Sequence, residues 1–208
     1  GDTDGSISIT YQAIVTNVIG NQNTDTLNNT VEFRYDDDPA TIPNPRESLT
    51  TSAANLTIIE PEVSVTKTAA LDTDGDTFYD DGTVGDAGDA VQYTITLSNT
   101  SGVDAFDIDF SDALPTVSGG TSAILSPAFS LADNATAGAV SAADFELVGS
   151  DAAGWTLQKR SAVNIDLLAS QVDGIGATRV ITMNETGTIA NSEPPNQSID
   201  NTATVDWS

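Results

Sequence analysis

The sequence predicts an all-β protein built as antiparallel β-sandwiches, and three observations carry that reading. Short alternating or β-branched runs recur throughout: SISITYQAIV, NTVEFRY, ANLTIIE, VSVTK, AVQYTITLSN, FDIDF, TRVITM and NTATVDW. In such runs successive side chains point to opposite faces, so one face can be buried while the other meets water. Clusters of Gly, Asn, Asp and Pro separate them, as turns require. No stretch carries a capped apolar stripe of helical period, apart from a short turn near SAADFEL. Many short strands broken by turns are best satisfied as two sheets packed face to face.

The first runs, up to residue 59, resemble the last ones. Residues 9–35 align without gaps to 181–207 at a constant offset of 172, with Ile9/Ile181, Thr10/Thr182, Thr16/Thr188, Asn29/Asn201 and Thr30/Thr202 identical. Both segments close on Asn-Thr, then alternating apolar residues, then an aromatic. This reads as a tandem repeat. Residues 1–59 are expected to be the C-terminal part of one sandwich, and 60–208 a second sandwich lacking its last strand, since no counterpart of SAANLTIIE follows Trp207. The Pro-bearing EPEV at 60–63 is the expected junction.

Composition narrows the function. The chain has 208 residues, 38% hydrophobic and 18% charged, which is a globular balance. A net charge of −25 argues against nucleic acid and against anionic membrane surfaces. Divalent cations or a salty medium suit such a surface, and so does a solvated acidic coat that serves solubility. No run is long enough to insert in a membrane. With no histidine and no cysteine, zinc and copper lack their usual ligands, and Ser-His-Asp or Cys-His catalysis is excluded.

The next run, EVSVTKTAA, places Lys67 on the same face as Val63 and Val65, although the chain has only six Lys and Arg residues. In FDIDFSDALP, Asp112 shares parity with Phe106, Ile108, Phe110 and Leu114. In NTATVDW, Asn201 shares parity with Ala203, Val205 and Trp207. A lysine, an aspartate and an asparagine thus each fall on the inward face of a predicted strand. Burial lowers the pKa of Lys and raises that of Asp, favouring a neutral amine beside a neutral acid. A neutral amine is a nucleophile, and a carboxamide polarised by an acid is an electrophile. Lys67 attacking the Asn201 side chain, with Asp112 shuttling the proton, would release ammonia and leave an amide bond between two strands. The plainer readings stand beside this one: a strand-end lysine with its stem on apolar neighbours, a turn aspartate before Leu-Pro, and a buried amide serving the backbone.

The motifs EPEVSVTKTAA, GDAVQYTITLSNTSG, SDALP and IDNTATVDW resemble the conserved-repeat domains of bacterial and archaeal surface proteins. They also look like the related collagen-adhesin-type domains of pilins and adhesins. The resemblance covers 60–115 and 180–207, and only loosely 116–178. It implies immunoglobulin-like sandwiches and an intramolecular Lys–Asn isopeptide bond, with the lysine on the first strand, the acid before Leu-Pro and the asparagine on a late strand. Lys67, Asp112 and Asn201 stand in that order.

Between the first two runs of the second repeat lies DTDGDTFYDDG, with Asp72, Asp74, Asp76, Asp80 and Asp81. Carboxylates at alternate positions can converge on one hard cation, which makes Ca2+ the expected ligand. The loop is no EF-hand, because Thr77 replaces its glycine and Thr83 its last glutamate. A flexible acidic loop is the alternative.

The expected protein is a non-enzymatic structural repeat of an extracellular, cell-surface filament, adhesin stalk or surface layer. Its partners would be neighbouring copies or repeats of itself, joined by strand addition. The alternative is a carbohydrate- or protein-binding adhesin module, which would show an exposed apolar or aromatic patch within 116–178. A glycosidase using paired carboxylates is the weakest rival, because the acids cluster in turns.

Overall fold

The structure is a computed structural model that describes residues 8–14, 25–35, 47–51, 54–117, 120–136, 138–167, 169, 179–192 and 197–207. The chain divides into two compact units, Gly1–Glu60 and Pro61–Ser208.

The first unit contains β1 (Thr26–Asn29), β2 (Glu32–Tyr35), β3 (Glu47–Thr50) and β4 (Ala54–Thr57). β1 pairs antiparallel with β4, with Leu27 opposite Leu56, and β2 with β3, with Phe33 opposite Leu49. On this ribbon Val31, Phe33 and Leu56 are 48%, 52% and 56% exposed. The predicted strand SISITYQAIV does not form over its described residues 8–14. Its counterpart at the 172 offset is a central strand of the second unit, flanked on both sides.

The second unit is the expected antiparallel sandwich. One sheet has the order β5 (Val63–Asp72), β6 (Ala90–Asn99), β11 (Arg179–Ile189), β8 (Ile124–Asp133). The other runs β12 (Ala203–Asp206), β7 (Asp109–Ala113), β10 (Gly154–Lys159), β9 (Phe145–Ser150). Alternate residues of β6 are buried along its whole length, as the period of AVQYTITLSN requires. Val63, Ile95, Leu97, Ile181 and Met183 from the first sheet meet Phe110, Phe145, Leu157 and Ala203 from the second. The rings of Phe110 and Phe145 meet edge to face, 6.0 Å apart at 77°. A second cluster, with Leu71, Val91, Tyr93, Leu114, Ile124 and Ile189, fills the other end.

Three differences from the sequence reading have physical causes. Phe106, expected inward with Ile108, is 46% exposed, because Asp107 adopts φ 52° and breaks the alternation before β7 begins. The run TRVITM extends to Ile189 through a β-bulge between Thr186 and Thr188. Gly187 sits in that bulge, where a Cβ would lie 2.3 Å from the Ile124 side chain. Strands β8, β9 and β10 lie in a stretch where alternation predicts none. β8 carries Pro127 and is tolerated as a sheet edge. The turn near SAADFEL is a short 3-10 turn, Ala142–Asp144, closed by a reciprocal capping box between Ser141 and Asp144.

Candidate functional site

β5 carries Lys67 inward, with 9% of its side chain exposed. Its cross-strand neighbour is Ile95 on β6, and the next inward residue of β6, Tyr93, lies under the amine, 4.7 Å from Nζ to the ring centroid. From the facing sheet, β7 presents Asp112, which is fully buried. Lys67 Nζ donates to Asp112 Oδ2. Asn201 lies two residues ahead of Ala203, the residue of β12 that pairs with Asp112. Both heteroatoms of the Asn201 amide are buried and have no hydrogen-bond partner, and Asp112 Oδ1 is in the same condition. The structure therefore places the three predicted residues inward on neighbouring elements, with the lysine and aspartate in contact.

It adds a fourth residue that the sequence reading does not select. Glu185 on β11 stands opposite Tyr93 in the sheet and is 1% exposed. Lys67 Nζ donates to Glu185 Oε2 at 3.4 Å. Burial, followed by the hydrogen bond and the negative charge of Asp112, pushes its carboxyl up to about 9, against the opposing pull of Lys67. Glu185 is thus a neutral acid at ordinary pH. A signal exists in the sequence: Ile181, Met183 and Glu185 share one parity, but the predicted strand stops at Met183.

With Glu185 protonated, the cluster brings together an amine, an acid and a second carboxyl on facing strands. Such a cluster can perform condensation chemistry between side chains without any cofactor.

Of the aspartate loop, the structure brings Asp72, Asp74 and Asp81 together, with one carboxylate oxygen of each within 4.8 Å of the others. Asp76 and Asp80 are not part of that group. Asp72 accepts from the Gly75 N–H at 2.7 Å and the Thr77 N–H at 3.0 Å, which winds the loop around it. Asp81 Oδ2 accepts from the Thr73 N–H at 2.6 Å and the Thr73 hydroxyl at 2.9 Å. Those bonds, the backbone one first, hold the Asp81 carboxyl below its usual range and keep it ionised. Three oriented carboxylates fit a hard cation such as Ca2+.

Elsewhere, Arg179 is buried at the start of β11 and donates to Asp133 Oδ2 at 2.6 Å and to the Gly138 carbonyl at 3.1 Å. This pair ties the end of β8 to β11. Among the described residues of 116–178, Val148 is the one exposed large apolar side chain, at 37%. No helix of the described residues is long and apolar enough to cross a membrane.

No family model matches the chain, and no curated protein matches it. Among solved structures the chain is similar to the full-length RrgB pilus protein from Streptococcus pneumoniae at 19% identity and a TM-score of 0.39, over 68% of this chain and 23% of that one. A structure of the RrgB pilus backbone from the same organism is 17% identical with a TM-score of 0.33, over 60% of this chain and 28% of that one. A third, the full-length major pilin RrgB, is 17% identical with a TM-score of 0.35, over 65% and 21%. The chain spans about a quarter of the length of these pilins.

Proposed function

We propose that this chain is a non-enzymatic structural segment of an extracellular, cell-surface filament or stalk, whose second unit locks itself with an isopeptide bond between Lys67 and Asn201. The observation that carries the reading is the buried cluster itself. A buried lysine contacts two buried carboxyls, and Asn201, two residues from the strand partner of Asp112, carries a buried amide whose two heteroatoms make no hydrogen bond. Such groups are costly to bury for stability alone. In the reaction Lys67 Nζ passes a proton to Asp112 and attacks Asn201 Cγ. The C–N bond to Nδ2 breaks, and that nitrogen takes the proton returned by Asp112 and the second proton lost by Nζ, leaving as ammonium while Asp112 is restored as a carboxylate. Glu185, neutral throughout, removes a charge that would hold the lysine as an ammonium.

Intact mass spectrometry tests this, because condensation lowers the mass by one ammonia, about 17 Da. The Asp112→Ala variant is expected to keep the unmodified mass. An unmodified wild-type chain that is folded would overturn the bond. The direct contact of Lys67 with Asp112 favours one second reading, an amide between those two residues formed with loss of water, about 18 Da. Isotope-resolved mass and the identity of the cross-linked peptide separate the two.

The aspartate loop is proposed to bind Ca2+ through Asp72, Asp74 and Asp81, bracing the end of β5. Neighbouring copies or repeats are the proposed partners, through strand addition. Pilus backbone is the role named for the RrgB structures; for this chain the reading rests on the buried cluster.

A further inference from the structure

Tyr93 on β6 stands between the two strands that carry Lys67 and Glu185. In the sheet it lies opposite Ala69 of β5 on one side and opposite Glu185 of β11 on the other. Ala69 shares the face of Lys67 and Leu71 and carries only a methyl group, so β5 leaves room there for a ring. Diagonal neighbours on one face of an antiparallel pair are within reach of an aromatic side chain. The Tyr93 ring uses that reach: its centroid is 4.7 Å from Nζ of Lys67, its diagonal neighbour. The same buried side chain lines a groove of about 630 Å³, together with Ala69, Leu71, Val84 and Ile199. Lys67, Asp112 and Glu185 line no part of that groove, although Ala69 and Leu71, the next two residues on the face of Lys67, do. The groove ends at the Tyr93 ring.

We propose that Tyr93 is a positioning residue for the condensation: its ring walls the groove off from the buried cluster and holds the Lys67 amine against Asp112 and Glu185. The proposal rests on the isopeptide reading and adds a residue to it. The ring makes and breaks no bond. A lysine ends in a strongly hydrated group on a flexible four-carbon stem. Without a ring beneath it, that stem is free to swing past Ala69 into the groove, where water would solvate its end. With the ring in place the amine stays among its two carboxyl partners. Intramolecular reactions gain most of their speed from such restriction, and a misplacement of about 1 Å can cost about a hundredfold. The wall also preserves the burial that keeps the Glu185 carboxyl neutral.

Lys67 and Lys159 are the two lysines of the chain, which makes amine acetylation a direct test. In full-length Asn201→Ala, Lys67 keeps its amine, and a pulse of acetic anhydride should label Lys159 and spare Lys67. Adding Tyr93→Ala should bring Lys67 to the labelling rate of Lys159, whereas adding Tyr93→Phe should keep it protected. Lys159, on the facing sheet at the end of β10, reports the fold, and its labelling should not change. If Lys159 accelerates as well, Tyr93→Ala has lost the fold, and Tyr93→Leu decides by the same pair of readouts. With Asn201 in place, chains from cell-free synthesis are sampled over time by intact mass. Tyr93→Phe should lose ammonia as fast as the wild type, and Tyr93→Ala about a hundredfold more slowly. A Lys67 that stays protected in Tyr93→Ala overturns the proposal, and so does one that becomes accessible yet cross-links at the wild-type rate. A Tyr93→Phe chain as slow as Tyr93→Ala also overturns it, because the ring would then not be the part that matters. A folded wild type without the mass loss sinks the isopeptide reading, while the labelling still decides whether the ring is the wall.

Discussion

Replacing Asn201 by alanine isolates the value of the cross-link. The substitution removes the acceptor while Lys67, Asp112 and Glu185 keep their contacts. It also breaks no hydrogen bond, because the Asn201 amide makes none. The bond would close a loop between positions 67 and 201. On the chain-entropy relation for cross-links, a loop of that length destabilises the unfolded state by about 5 kcal/mol at 25 °C. A unit of about 150 residues unfolds with an entropy near 0.3 kcal/mol/K, so losing the link lowers Tm by about 15 °C. Truncating the amide itself adds about 1 kcal/mol, a few degrees more. Scanning calorimetry of both proteins, each with its intact mass determined, measures the difference. A wild type that carries the mass loss yet melts within about 4 °C of the variant would refute the entropic argument.

The remaining predictions concern charge. Glu185 is held protonated in the fold, so its contribution to stability is full below its unfolded pKa and is lost as pH rises towards about 9. In the Asn201→Ala background, where Lys67 keeps its amine, denaturant midpoints should fall from about pH 5 to 9, and Glu185→Gln should flatten that slope. Calcium at a hundredfold excess over its Kd should raise stability by about 2.7 kcal/mol, read as a higher Tm than in chelator. Joint Asp72→Asn, Asp74→Asn and Asp81→Asn substitution should abolish the difference. Arg179→Ala leaves Asp133 buried without its cation and should cost about 3–5 kcal/mol in urea unfolding.

Strands with strict alternation are legible in the amino-acid sequence: β5, β6 and β7 bury residues that their parity assigns inward, Lys67 and Asp112 among them, and β12 buries Ala203, while Trp207 of the same parity stays 41% exposed. Parity fails where something other than burial shapes the chain. Asp107 in a left-handed conformation turns Phe106 outward, and the Ser/Ala/Pro composition of β8 gives no period to read. Glu185 escapes because the bulge at Gly187 lets β11 run on past the point where its apolar residues thin out. In the aspartate loop, spacing alone does not say which carboxylates converge. The winding of Gly75 and Thr77 around Asp72 selects Asp74 and Asp81, and Asp76 instead accepts from the Phe78 N–H at 2.8 Å.

The first and last strands of the second unit, β5 and β12, are neighbours across the sandwich and frame the buried cluster. With Lys67 joined to Asn201, a pull on the two ends of this unit would enter at one strand and leave at the other through covalent bonds alone. The residues between those positions would never be drawn out, and about 450 Å of contour length, at about 3.4 Å per residue, would stay stored. Under tension the unit would behave as a strut of fixed length instead of a spring that lengthens by unfolding. A surface fibre made of such struts transmits a tug at its tip to its base without yielding.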